Sequence, residues 1–297
     1  MNVVIGIEKP DQIAIFMLEP EEEYSTRLSL LKCDYLFGTK TNSYQCQFSR
    51  HSATLDLYEL VNNGSIPDWQ FEILNYKFET GFDLVLQRDV HAISLYRFLG
   101  WELDKHTVIK DDDVSEIANF QINTYDVNID KNGNFIIVLS NQTKIYYLLI
   151  NQDFVWVSTK TTDFALAEAA IQLIKCFEDS NTLDHLTCLI ISNGARFYQI
   201  TFVRANRHDA GGDNHLDWFI NETYENSATM YNPIKAALSR DYFAILYAGP
   251  SDPTHPTLHI PTIAVWRRGD QYVYEARSLT PGQTVNSFYL ISDYHYQ

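Results

Sequence analysis

Short apolar runs separated by turn-forming polar segments recur along most of the chain. Residues 3–7 are apolar, Lys9-Pro10-Asp11 supplies a turn, and residues 13–18 are apolar again, the pattern of a hairpin. Apolar or alternating stretches continue at 28–36, 53–60, 71–78, 82–86 and 92–103, with loops marked by Asn62-Asn63-Gly64 and Thr80-Gly81. The spacing predicts a β-rich region over residues 1–105. Tyr35-Leu36-Phe37-Gly38 is faintly echoed by Arg97-Phe98-Leu99-Gly100, but four positions do not establish a repeat.

The charged stretch 104–113 reads as a boundary, and residues 106–297 read as a second, mixed region. Asp111-Asp112-Asp113 would place acids at the positive end of a helix over 114–121. Strands are expected at 135–139, after the turn pair Asn132-Gly133, and at 144–150 and 154–159. Phe154-Val155-Trp156-Val157 is continuously apolar, which predicts a central strand covered on both faces. Phe164, Ala167, Ile171, Ile174 and Phe177 fall on one helical stripe, so a helix is expected over 162–177, capped by Thr162-Asp163. Strands at 186–192 and 196–203 would turn at Asn193-Gly194, and helices are expected at 216–224 and, opened by Asn232-Pro233, at 234–240. Residues 242–248, 262–267, 272–276 and 287–292 are strand-like. The expected class is therefore α+β: a β-rich N-terminal region, a mixed sheet with a few packed helices, and a β-rich C-terminal tail.

Composition supports packed structure. Hydrophobic residues are 45% and charged residues 20% of the 297, and 19 Tyr and 17 Phe favour strands over low-complexity sequence. Charge narrows the partners. A net charge of −16, with Arg267-Arg268 among the densest basic clusters, disfavours polyanions and anionic membrane surfaces. No apolar run reaches the length of a membrane-spanning helix, and residues 1–10 lack the basic and apolar parts of a signal peptide. A cytoplasmic setting is expected on those grounds. In it Cys33, Cys46, Cys176 and Cys188 would be buried reduced thiols, since none forms a Cys-x-x-Cys pair. The sequons at Asn63, Asn141 and Asn221 would then be chance matches.

Two constellations could carry chemistry. The loop from His208 through Asp209, Asp213 and His215 to Asp217 packs possible metal ligands into ten residues, at a spacing that also suits a solvated loop. His255 and His259 flank Pro256, which predicts a turn rather than a shared helical face. Glu8, closing the first strand, reads as a surface acid. The chain contains no nucleophile elbow, phosphate-binding loop or dinucleotide fingerprint, so no cofactor is expected.

In the middle region, the expected strand ending Val157-Ser158-Thr159-Lys160, the helix bearing Gln172, and the strand pair around Asn193-Gly194 form a recognisable order. Over residues 115–204 this order resembles the PD-(D/E)-x-K nuclease-like superfamily of restriction and Crinkler-type proteins. The resemblance implies that Lys160 and Gln172 occupy site positions. It also places Ser158 and Tyr146 where metal-binding acids belong, and neither offers the carboxylate a hard cation needs. What it implies is a nuclease-like fold whose metal site is lost. The functional expectation is a non-catalytic interaction or structural protein that contacts a protein partner or itself, with Tyr and Trp as anchors. A metal-dependent hydrolase using residues 208–217 and a carbohydrate-binding β domain are the alternatives.

Overall fold

A computed structural model describes residues 2–9, 12–22, 25–36, 43–56, 71–77, 80–89, 91–110, 122–130, 132–141, 144–163, 171–178, 185–192, 196–205, 215–225, 231–239, 241–252, 255–267 and 275–280. The described residues form strands and turns, with no helix among them, so the described structure is all-β rather than α+β. The chain forms two compact units, one holding the strands up to residue 110 and the other those from residue 124 onward.

The first unit contains two antiparallel meanders. One is β1 (Asn2–Lys9), β2 (Gln12–Glu22), β3 (Ser25–Leu36) and β4 (Ser43–Asp56), and the next is β5 (Phe71–Lys77), β6 (Gly81–Asp89), β7 (Ala92–Leu99) and β8 (Glu102–Lys110). Each strand pairs with its neighbour in sequence, as consecutive hairpins require. Ala14, Phe16, Leu28 and Leu30 of the first sheet pack against Phe71, Ile73, Phe82, Leu84, Leu86, Tyr96 and Phe98 of the second. Phe82 stacks on Phe98 with centroids 4.7 Å apart, and the Trp101 ring meets its edge at 5.2 Å. Gly81 makes the tight entry to β6 possible. Its φ is +136°, and a Cβ there would lie 2.0 Å from the Phe98 carbonyl oxygen.

The second unit contains three meanders of the same form. They are β9 (Thr124–Ile129), β10 (Phe135–Ser140), β11 (Lys144–Ile150) and β12 (Trp156–Asp163); then β13 (Ile171–Glu178), β14 (His185–Ser192), β15 (Arg196–Ala205) and β16 (His215–Glu225); then β17 (Tyr231–Leu238), β18 (Tyr242–Asp252), β19 (His255–Arg267) and β20 (Glu275–Ser278). Sheets stack face to face. Ile136, Val138, Tyr147 and Leu149 meet Ile171, Ile174, Leu186 and Ile190, while Leu189 and Ile191 on the opposite face of β14 meet Phe243, Ile245, Ala264 and Trp266. A strand buried on both faces loses the polar half of its alternation, which is why β10, β11 and β14 read as unbroken apolar runs. Each fully buried Leu or Ile adds about 1.5–3 kcal/mol.

The expected helices are corrected here. Residues 171–178, 215–225 and 231–238 are strands, and the expected helix over 114–121 lies outside the described residues. The stripe that suggested a helix over 162–177 has a local cause. The β13–β14 register shifts between Ile171 and Leu173, making Gln172 the extra residue of a bulge. One inserted residue brings Ile171 and Ile174 to the same buried face, and that three-residue spacing imitates a helical turn. Pro233 does not open a helix. It sits in β17, an end strand with register shifts on both sides, where a missing N–H is tolerated. His255 and His259 lie in β19 rather than in a turn, and the His259 ring nitrogen Nδ1 is 3.0 Å from the Gly249 carbonyl oxygen.

A nuclease-like core is therefore excluded, because it needs a helix where β13 runs. Lys160 stands opposite Tyr147 and Ser158 opposite Leu149, while Tyr146 takes the alternate position opposite Thr161. Gln172 belongs to the next sheet. The expected pair of thiols is also overturned: Cys176 and Cys188, directly opposed on β13 and β14, form a disulfide with Cα atoms 3.9 Å apart. Twelve residues separate them, and their opposition is invisible while the first is assigned to a helix.

Candidate interaction edge

Among the described residues, the fourth strands of the β5–β8 and β9–β12 meanders each pair on one side only, and the other side of each is an edge of its sheet. In β8 that edge is charged: Glu102, Asp104 and Lys105 surround the 54% exposed Leu103, and the His106 ring stacks on Tyr96 at 4.3 Å. Charges of this kind discourage a further strand from adding.

The approach to β12 is built differently. Asn151 organises the turn: its Oδ1 accepts from the N–H groups of Asp153 and Val155, both at 2.9 Å, and its own N–H donates to the Val155 carbonyl. Phe154 takes a φ of +64°, a region that L side chains rarely occupy. Its ring turns inward, edge-on to Phe135 at 5.4 Å. The next three side chains face solvent, with Val155 57%, Trp156 40% and Val157 55% exposed. Val157 is the extra residue where the β11–β12 register shifts, since Leu149 pairs with Ser158 and Ile150 with Trp156. The bulge breaks alternation, so adjacent apolar side chains stay outward together. The expectation that this run is a central strand is thus corrected: β12 is an end strand and its apolar start is exposed. The informative signal was the Asn151-Gln152-Asp153 turn before the run and the hydroxyl-rich Ser158-Thr159-Lys160-Thr161-Thr162 after it.

Buried polar groups serve the seams between strands. Asp126 on β9 is 1% exposed and accepts from the Cys176 N–H at 2.6 Å, from the Lys175 ammonium, and from Asn128 Nδ2 at 3.2 Å. Asn123 Nδ2 donates to the Ile171 carbonyl, so β9 holds β13 along its length. Asp83 on β6 is satisfied inside one sheet, by Arg97 Nε and Asn75 Nδ2, both at 2.8 Å. Lys235 on β17 has its pKa lowered by burial and, next, by the nearby charge of Lys175. Burial raises that of Tyr247.

Of the metal-ligand loop, His208, Asp209 and Asp213 lie outside the described residues, while His215 and Asp217 are on β16, opposite Ala205 and Val203. Among the described residues no three His, Cys, Asp or Glu side chains converge as a metal site would require. No helix among them is long and apolar enough to cross a membrane, which bears on helices alone.

The edge lies in a protein class that the sheets themselves define: an all-β chain of consecutive four-stranded meanders, the unit from which β-propeller blades are made. No protein-family model matches the chain, and no curated protein matches it. Solved structures similar to it include a GH43 β-1,3-galactosidase (TM-score 0.44, 11% identity, 88% of this chain and 57% of that one). The WD40 domain of SCAP from fission yeast gives a TM-score of 0.44 at 9% identity, over 98% of this chain and 66% of that one. The β-propeller domain of Nup133 from Vanderwaltozyma polyspora gives 0.36 at 9% identity, over 93% and 91%. The chain thus spans little more than half the galactosidase and just under two thirds of the SCAP domain. At these scores the architecture rests on the chain's own sheets.

Proposed function

We propose that the protein is a non-catalytic binding scaffold that recognises a protein partner through the start of β12. The observation that carries this reading is the exposed apolar triplet Val155-Trp156-Val157 on an end strand. An extended segment of a partner adding beside β12 would satisfy its edge amides and cover the three side chains, with Trp156 as anchor. The acidic balance of the chain favours a partner that is neutral or basic.

Cross-linking of the full chain in extract of the cells that produce it, followed by peptide mapping, tests the reading. Adducts should map to residues 151–163, vanish in the Val155→Asp/Val157→Asp variant, and persist in Leu103→Asp on β8. Adducts that all three proteins share would sink it. Saccharide binding that Trp156→Ala abolishes, without protein adducts, would replace it with the carbohydrate-binding reading.

A further inference from the structure

The chain has four cysteines, and the sheets place all of them in opposed pairs. Cys176 faces Cys188 across β13 and β14 and is bonded to it. Cys33 faces Cys46 across β3 and β4 in the same kind of antiparallel register. We infer that Cys33 and Cys46 form a second cross-strand disulfide, so that the protein carries no free thiol once folded.

Three observations support this. Directly opposed residues in an antiparallel pair have Cα atoms close enough for a disulfide to join their side chains. The bonded pair in the second unit has the same opposed register, so this fold accommodates the cross-link. Both pairs also occupy the same mechanical position. β4 and β13 are end strands of their sheets, each paired with a single neighbouring strand among the described residues. Each has a register shift close to its cysteine, between Ser29 and Leu31 in the β3–β4 pairing and between Ile171 and Leu173 in the β13–β14 pairing. A bulged end strand is where pairing slips most easily, and a covalent tie just beyond the bulge fixes one register. Formation is balanced by thiol–disulfide exchange. The Cys33 and Cys46 thiols lose two protons and two electrons as the S–S bond forms, and a disulfide oxidant of the glutathione type is reduced to two thiols. The setting in which the chain matures has to supply such an oxidant.

Tryptic mapping separates the two bonds. Cleavage at Lys32, Lys40 and Arg50 puts Cys33 in residues 33–40 and Cys46 in residues 41–50, whereas Cys176 and Cys188 share residues 176–196. The folded full chain would be equilibrated in excess oxidised glutathione, trapped with N-ethylmaleimide, denatured, trapped again and digested without reductant. The expected result is one species joining 33–40 to 41–50, released by reductant, and no maleimide on any cysteine. Maleimide or glutathione on Cys33 and Cys46, or a bond from either to Cys176 or Cys188, would overturn the inference. A second readout is thermal. Cys33→Ala/Cys46→Ala should lower the Tm of the oxidised protein by several degrees and leave that of the reduced protein nearly unchanged. Equal shifts in both redox states would also overturn it, because they would mark a packing role only.

Discussion

The meanders β5–β8 and β9–β12 share one plan and differ where it matters for function. Both bury their middle strands and end in a strand that begins with exposed side chains. The first neutralises its edge with Glu102, Asp104 and Lys105, whereas the second leaves Val155, Trp156 and Val157 in water. Their buried acids differ in reach. Asp83 closes an ion pair within its own sheet, while Asp126 crosses to β13 and caps a backbone N–H there. One meander is self-contained and guarded. The other is tied to the next sheet inside its unit and open at its margin, as a binding element on a rigid support should be.

Removing the two buried acids should have the largest effect. Asp126→Ala strands the Lys175 ammonium and a buried amide, and should cost about 3–5 kcal/mol in denaturant unfolding. Asp83→Ala should cost about 1–3 kcal/mol, because the Arg97 side chain, 21% exposed, can take up water. Equal costs would mean that Asp126 does not join sheets.

Glycine substitutions come next. Gly81→Ala forces a Cβ to within 2.0 Å of a carbonyl and should cost about 2–4 kcal/mol, or shift β6. Gly133→Ala, in the turn before β10, meets the movable Gln152 side chain at 2.9 Å and should cost about 1 kcal/mol, mostly from its φ of +80°. Thermal melts of the pair rank them, and the reverse order would show the β5–β6 turn to be looser than described.

The edge substitutions should leave stability almost alone. Val155→Asp/Val157→Asp is expected to stay within about 0.5 kcal/mol of the parent, as surface changes usually do, while partner adducts disappear. A large loss of stability would place the triplet in the core instead.

The smallest effect belongs to Lys235. Its lowered pKa means that at neutral pH the native state holds a disfavoured charge, a penalty relieved as pH rises through the folded pKa toward the ordinary 10.5. Lys235→Met should therefore melt slightly above the parent at pH 7, with the gap narrowing in alkaline buffer. A gap that widens with pH would reverse the sign and remove burial as the cause.

Several strands were legible because their signals were local. The hairpin of β1 and β2, the runs of β10 and β11, and the apolar segment of β14 announce themselves through turn residues and unbroken burial. The helices were misjudged where bulges altered the period, as at Gln172, or where Pro233 sat in a tolerant end strand. The exposed edge is not legible in the sequence, because Phe154 to Val157 is equally apolar whether covered or bare.

Local chemistry in the chain thus decides where strands start and turn, since those choices depend on neighbours a few residues away. Which strand ends a sheet, which acid reaches the next sheet, and which cysteines oppose one another depend on residues brought together from distant parts of the chain. Cys176 and Cys188 illustrate the division: each lies in an apolar segment visible in the sequence, but only pairing in register, set by a bulge five residues earlier at Ile171 and Gln172, turns two buried thiols into a bond.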